Sequence, residues 1–234
     1  MKKLSFLFSS MVLFLSGCSM RVFNPISETA RDQSFLILFS FFLMMIVLVV
    51  VFVMFARFMW KYRETEENKH TIPEDEKGNK AFEITWTVLP IILLIVLAVP
   101  TVRMTYDMSA EVKSNPANAV HVEVTAQQFS WTFTYEGEVQ TVDNLVLPKD
   151  RPVVFHLNSK DVIHSFWIPR LGGKRDVVPG EDRRLILTPE KTGTYQGKCA
   201  EFCGVDHAKM RFTTEVKTQE AYQQWLNNEK ENLE

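Results

Sequence analysis

"AVHVEVTAQQFSWTFTYEG", residues 119–137, sets an apolar side chain at every second position: Val120, Val122 and Val124, then Phe129, Trp131, Phe133 and Tyr135. Successive side chains of a β-strand point to opposite faces, so this period of two turns one face toward a core. Further runs follow at "NLVLP", "PVVFHL", "HSFWIP", "RRLILTP", "GTYQGKC" and "RFTTEV", most of them separated by Pro, Gly, Asp or Asn. Short strands at that spacing predict an all-β sandwich or barrel of about 100 residues, spanning 118–217. "TQEAYQQWLNNEK" predicts one amphipathic helix within 218–234, with Thr218 as N-cap and Tyr222 and Trp225 as its apolar contacts. Upstream, "SAEVKSNPAN" mixes small, polar and proline residues, which predicts a linker over 104–117.

The first hundred residues follow a different pattern. No residue from Ser34 to Ala56 is charged, and roughly 23 positions at about 1.5 Å each give a helix long enough to cross a bilayer. A second span, Ile84 to Val102, contains Pro90 and Pro100, which a membrane helix tolerates where neighbours satisfy the freed carbonyls. Together they predict a transmembrane helical hairpin over 34–103. The loop between them holds Arg57, Lys61, Arg63, Lys69, Lys77 and Lys80, which places it in the cytoplasm by the positive-inside rule. Residues 1–17 have the plan of a signal peptide, and "LSGC" resembles a bacterial lipobox, which implies cleavage before Cys18 and a lipid on its sulfur. Residues 18–33 then form an extracytoplasmic segment, and both mature termini lie outside a bacterial plasma membrane. Glu83 stands at the start of the second span. A carboxylate there is either a functional group at the membrane boundary or a helix-terminal acid favoured by the macrodipole.

A net charge of −2 and the lack of a basic stripe interleaved with aromatics give no case for nucleic acid. No Gly-rich phosphate loop or GxSxG elbow occurs either. Chemistry in the outer domain therefore falls to "KCAEFCGVDHAKM", residues 198–210, and to His164 in "VIHSFWIP". A disulfide between Cys199 and Cys203 would leave His164, His207 and Met210 without a role. Zinc could use two cysteines and two histidines, but gives no reason for the methionine. Thiolate, thioether and imidazole together select copper, and a mononuclear blue site takes two histidines, one cysteine and a weak methionine. His164, Cys203, His207 and Met210 supply those ligands. Cys199 is then one thiolate in surplus, and a second thiolate lets two copper ions share both sulfurs as bridges. Sharing one electron over two metals lowers the reorganisation on transfer, as suits a relay.

"CAEFCGVDHAKM", "HSFWIPRLGGKRDVVPG" and "FEITWTVLP" together resemble subunit II of the haem-copper cytochrome c oxidases over nearly the whole mature chain. The resemblance implies a cupredoxin-like Greek-key β-barrel and a helical hairpin packed on a catalytic subunit I that carries the haem. It implies a dinuclear copper A centre held by His164, Cys199, Cys203, His207, Met210 and the backbone carbonyl of Glu201, whose side chain serves magnesium shared with subunit I. By the same resemblance Glu83 marks the mouth of a proton path, and Lys174 and Asp176 face subunit I. Phe129 and Trp131 fall where the family receives electrons from cytochrome c. There the sequence departs from the family, because Phe129 replaces a leading tryptophan and Ser130 the next aromatic. Glu136, Glu138 and Asp143 could dock a basic cytochrome or be only a solvated edge. The chain shows no CxxCH, so a separate cytochrome c is the expected donor. The function expected is the electron-accepting subunit of a proton-pumping terminal oxidase. A copper A subunit of a nitric oxide reductase and a membrane-anchored copper chaperone are the alternatives, the chaperone calling for a thioredoxin-like α/β pattern.

Overall fold

Alternation in residues 120–134 produces two antiparallel strands, β1 (Val120–Gln127) and β2 (Ser130–Thr134), in a computed structural model that describes residues 20–70, 72, 75, 77–113 and 116–233. The expected signal segment and Cys18 lie outside the described residues. Eight more strands follow: β3 (Gln140–Val142), β4 (Asn144–Pro148), β5 (Val153–Ser159), β6 (His164–Ile168), β7 (Gly172–Val177), β8 (Arg183–Leu187), β9 (Gly193–Cys199) and β10 (Arg211–Lys217). They form two five-stranded sheets, in the orders β3-β2-β1-β5-β8 and β4-β10-β9-β6-β7. Each sheet contains one parallel pair, β1 with β5 and β4 with β10, and is otherwise antiparallel. This is the all-β domain that the strand pattern predicts, in the two-sheet form that the resemblance to the oxidase subunits implies.

The core is an aromatic cluster drawn from both sheets. Trp131 and Phe133 of one sheet meet Phe166 and Phe212 of the other, with ring centroids 5.1 to 6.4 Å apart, within the range where tilted and offset rings attract. Gly197 stands in register opposite Phe212, and a Cβ there would lie 2.0 Å from that ring. Only glycine leaves the ring its place. The turn between β1 and β2 falls at Gln128 and Phe129, so Phe129 belongs to the turn and not to the alternating strand. No Gly, Asn or Pro marks it, which is why the sequence reads as one uninterrupted pattern there.

The final helix, α3 (Gln219–Glu231), begins as expected: Ala221 N–H donates to the Thr218 hydroxyl at 3.2 Å. Tyr222 and Leu226 are buried, and Trp225 packs edge-on to Tyr135 at 5.0 Å.

Residues 20–34 also belong to this unit. Ile26 is fully buried in the β-domain core, its N–H donating to Arg170 O at 2.8 Å and its carbonyl accepting from Glu190 N–H at 2.8 Å. Burying such a side chain contributes roughly 1.5–3 kcal/mol, so the segment expected as an extracytoplasmic stretch is stitched to the domain. Arg31 extends the tether with a two-pronged ion pair to Glu190.

The second unit comprises residues 35–110. Helices α1 (Glu28–Lys61) and α2 (Lys80–Lys113) are both long and apolar enough to cross a membrane. Their large apolar side chains, Phe41, Phe52, Ile84 and Leu94 among them, are exposed, a surface that lipid solvates and water does not. Asn79 caps α2 by accepting from Ala81 N–H at 3.0 Å, and Glu83 lies in the first turn. The stretch expected as linker is helical through Lys113, because its Ala, Glu, Met and Lys residues carry favourable helix propensity and proline comes only at Pro116.

Candidate metal centre

Strand pairing brings the cluster together. β9 and β10 are antiparallel neighbours, so the loop 200–210 closes between the end of one and the start of the other. β6 lies on the far side of β9, with Phe166 opposite Cys199, and this delivers His164 from 35 residues upstream. Within the loop, Cys199 N–H donates to Met210 O at 3.0 Å and Ala200 N–H to Ser165 O at 2.9 Å. Gly204 takes a φ of 138°, and a Cβ there would come within 2.8 Å of Gln128 Nε2.

Cys199 and Cys203 are free thiols, their sulfurs 3.8 Å apart. Each faces a histidine: Cys199 Sγ lies 3.9 Å from His164 Nδ1, and Cys203 Sγ lies 3.6 Å from His207 Nδ1. Met210 Sδ is 3.6 Å from Cys203 Sγ, and the Glu201 carbonyl oxygen is 3.2 Å from Cys199 Sγ. His164, Cys199 and Cys203 offer ligand atoms within 4.8 Å of one another, all from buried residues. With metal–sulfur bonds near ~2.3 Å, two thiolates up to ~4.6 Å apart can share an ion. The donor set therefore fits a soft metal, and the second thiolate allows two.

Electrostatics favour the same reading. Burial pushes the Cys199 thiol up, but hydrogen bonds from His164, the Glu201 and Ser165 backbone and Cys203 overcome it and bring it down to about 6. Cys203 is pushed up to about 12 by burial and by the charge of Cys199 beside it. One thiolate forms readily and the second is resisted; a bound cation offsets that repulsion and lets both ionise.

Asp161, which the sequence reading does not single out, completes the arrangement. Its Oδ1 lies 2.8 Å from His164 Nε2, so it orients the ring that turns Nδ1 toward Cys199. Its Oδ2 accepts from Gln128 N–H at 2.7 Å, and Gln128 Nε2 donates to Cys203 O at 2.5 Å. Burial raises the Asp161 carboxyl, but the Gln128 and Val162 N–H groups and His164 hold it below its ordinary value. Asp161 precedes His164 by three residues, a local spacing that nothing in the sequence distinguishes from that of the other surface acids.

The remaining expected residues are spread more widely. Trp131 is fully buried, edge-on to His164 with centroids 6.0 Å apart, and so has no surface to offer a donor. Phe129 is only partly buried and packs beside Gly204. Phe202 and Val205 are 76% and 93% exposed on the ligand loop, with Val162 and Ile163 exposed on the loop before His164. Lys174 and Asp176 lie on β7, half-exposed and 3.8 Å apart. Glu83 belongs to the second unit, exposed at the start of α2.

Comparison with known proteins places this geometry in a family. Residues 3–104 match the family described as cytochrome c oxidase subunit II, transmembrane domain, and residues 132–217 match its periplasmic domain. The chain is 38% identical over 230 residues to a quinol oxidase subunit 2 of Bacillus cereus, covering 96% of this chain and 79% of that one. It belongs to the oxidase subunit II family. The subunit is also 39% identical over 226 residues to a cytochrome c oxidase subunit 2 of Alkalihalophilus pseudofirmus, covering 93% of its own length and 66% of that relative. A crystal structure of the periplasmic domain of subunit II of the Bradyrhizobium japonicum cytochrome oxidase matches 50% of the subunit and 97% of that chain. That match has 25% identity and a TM-score of 0.48. Subunit II is a membrane protein, as its two lipid-length helices require.

Proposed function

We propose that the subunit receives electrons for a haem-copper terminal oxidase. It takes them from a cytochrome c at a dinuclear copper A centre and passes them to the oxygen-reducing site of subunit I, with coupled proton translocation. The observation that carries this is the pair of unbonded sulfurs 3.8 Å apart, each facing its own histidine, with Met210 beside one and the Glu201 carbonyl beside the other. Two copper ions held there would supply one-electron relay chemistry with little reorganisation.

The chain's own residues do the rest. The hydrogen bond from Ala200 N–H to Ser165 O holds the ligand loop against β6, and Asp161 fixes the orientation of His164. Met210 is fully buried in the domain core, which excludes water there and preserves the low dielectric that makes these interactions strong. Phe129, Phe202 and Val205 form the apolar rim that a soluble donor protein would cover. Trp131 is an interior contact of His164, not the ring that meets the donor. Glu83 is the group at the cytoplasmic mouth of the proton path, Lys174 and Asp176 face subunit I, and the Glu201 side chain serves magnesium shared with it. Cys18 carries a lipid, with both mature termini outside the cell membrane.

The relatives include a quinol oxidase subunit, so a quinol is the competing donor. A quinol dissolves in the bilayer and gives two electrons with two protons. A thiolate pair in the outer domain with a full set of soft ligands serves instead a water-soluble one-electron donor.

Metal content and electron paramagnetic resonance of the full chain in detergent, loaded with copper, test the reading. Two coppers per chain sharing one unpaired electron are expected. A single blue copper, or none, would falsify it. In the assembled oxidase, Phe129→Ala should slow reduction by cytochrome c without altering the copper spectrum. Turnover supported by quinol alone would transfer the assignment to a quinol oxidase, and nitric oxide as the preferred acceptor would transfer it to the reductase.

A further inference from the structure

The outer face of the second sheet carries a row of side chains that the sulfur cluster does not use. Lys198 on β9 stands in register opposite Trp167 on β6 and opposite Arg211 on β10. Their chain neighbours Phe166, Ile168, Gly197, Cys199 and Phe212 are buried, so alternation turns all three outward. The Lys198 ammonium lies over the Trp167 ring, 4.7 Å from its centroid. Arg211 Nε donates to Ala208 O at 3.0 Å, which fixes the guanidinium and leaves its two terminal nitrogens without a hydrogen-bond partner among the described residues.

Met20, Arg21 and Val22 close this row into a hollow of about 340 Å³. No Asp or Glu lines it, and no ion pair among the described residues includes Arg21, Lys198 or Arg211. Like charges directly opposite on neighbouring strands repel. The hollow therefore suits an anion. One wall also fixes its level: the Val22 carbonyl accepts from the Ser34 hydroxyl, and Ser34 is the first residue of the uncharged span of α1. The hollow thus adjoins the point where that helix enters hydrocarbon, and a headgroup layer reaches only roughly 5–8 Å beyond the hydrocarbon on each side. Met20 and Phe23 at this level are 64% and 36% exposed.

We propose that Arg21, Trp167, Lys198 and Arg211 bind the phosphate of an anionic phospholipid. The Arg211 fork takes two phosphate oxygens, and Lys198 adds a point charge held in place by the ring beneath it. Trp167 supplies the amphipathic ring that suits a headgroup layer. Exposed Met20 and Phe23 give the lipid's ester and acyl portions an apolar surface, which a free phosphate could not use.

Native mass spectrometry of the full chain in detergent, with short-chain phosphatidylglycerol added, tests the site. The basic end of α1 is a second place for anionic lipid, so Arg57→Gln with Lys61→Gln forms the background for every measurement. Phosphatidylglycerol should be retained in preference to phosphatidylcholine of the same chain length. Lys198→Gln and Arg211→Gln should each weaken that binding about fivefold, the loss expected for one basic residue at an anionic lipid surface. Arg211→Lys should recover only part of it, because charge returns without the fork. Near-ultraviolet circular dichroism matching the parent's checks that the exposed substitutions leave the domain folded. Three results would each overturn the proposal. Displacement of the lipid by inorganic phosphate or glycerol phosphate at equal concentration would make the hollow a site for soluble phosphate. Equal retention of phosphatidylcholine would make it an apolar contact, and binding unmoved by Lys198→Gln and Arg211→Gln would make the row a solvated face.

Discussion

His164, at the start of β6, and His207, in the ligand loop, stand among sulfur atoms, whereas His121 and His156 stand beside a carboxylate on an open sheet face. His164 is fully buried and held at both ring nitrogens, by Asp161 on one side and Cys199 on the other. His121 and His156 have only each other as hydrogen-bonding partners among the described contacts. The difference shows how surroundings choose chemistry for one ligand type. Buried thiolates with a second layer of hydrogen bonds suit a rigid metal centre, whereas an exposed and a half-buried imidazole facing each other make a hydrogen bond.

The contrast breaks most sharply at the sulfurs. Cys203→Ser should abolish the two-copper signature altogether, measured by copper content and paramagnetic resonance, while hydrogen exchange on β1 and β5, around His121 and His156, stays as it was. Loss of both together would mean that the ligand loop and the sheet face fold as one cooperative unit. Asp161→Asn should come next, weakening copper binding by about 10–100-fold because His164 loses the group that orients it. If affinity is retained, Asp161 serves the β1–β2 turn through Gln128 and not the metal.

Gly197→Ala probes what both regions share. Its new methyl group meets the Phe212 ring, so unfolding in denaturant should cost about 1–3 kcal/mol less than in the parent. A rearranged core would also alter the copper spectrum, whereas the hydrogen bond between His121 and His156 on the outer face should persist.

The smallest effect is expected at the tether. Glu190 is held below its ordinary carboxylate value first by the hydrogen bond from Arg31, then against some desolvation. A depressed carboxyl stabilises the folded state above its unfolded value and loses that contribution as pH falls through the folded one. The protection of the Ile26 amide against hydrogen exchange, taken relative to its intrinsic rate at the same pH, should therefore fall as the medium is acidified below the ordinary carboxylate range. Glu190→Gln should remove that dependence. Both side chains are substantially exposed, so the change should be small.

Much of this molecule is legible in the order of its residues because the relevant spacing is short. Cys199, Cys203, His207 and Met210 lie in one loop, the alternating strands announce themselves over a few residues, and the two helices are defined by unbroken apolar length. Thr218 caps its helix as local chemistry dictates. The turn at Gln128 and Phe129 was not legible, since its residues carry no turn preference and its position follows from strand pairing. That pairing moves Phe129 onto the ligand loop and buries Trp131 in the core, separating two rings that the pattern treats alike.

The amino-acid sequence by itself determined the two membrane-length helices, the all-β domain and the soft-ligand loop, because each depends on contacts or periodicities within a few residues. Only the tertiary structure decided that Ile26 anchors the segment before α1, that Asp161 serves His164, and that His121 meets His156. Those contacts join residues distant along the chain or choose one acid among many. They are set by which strands lie side by side and by which face each strand gives to the core.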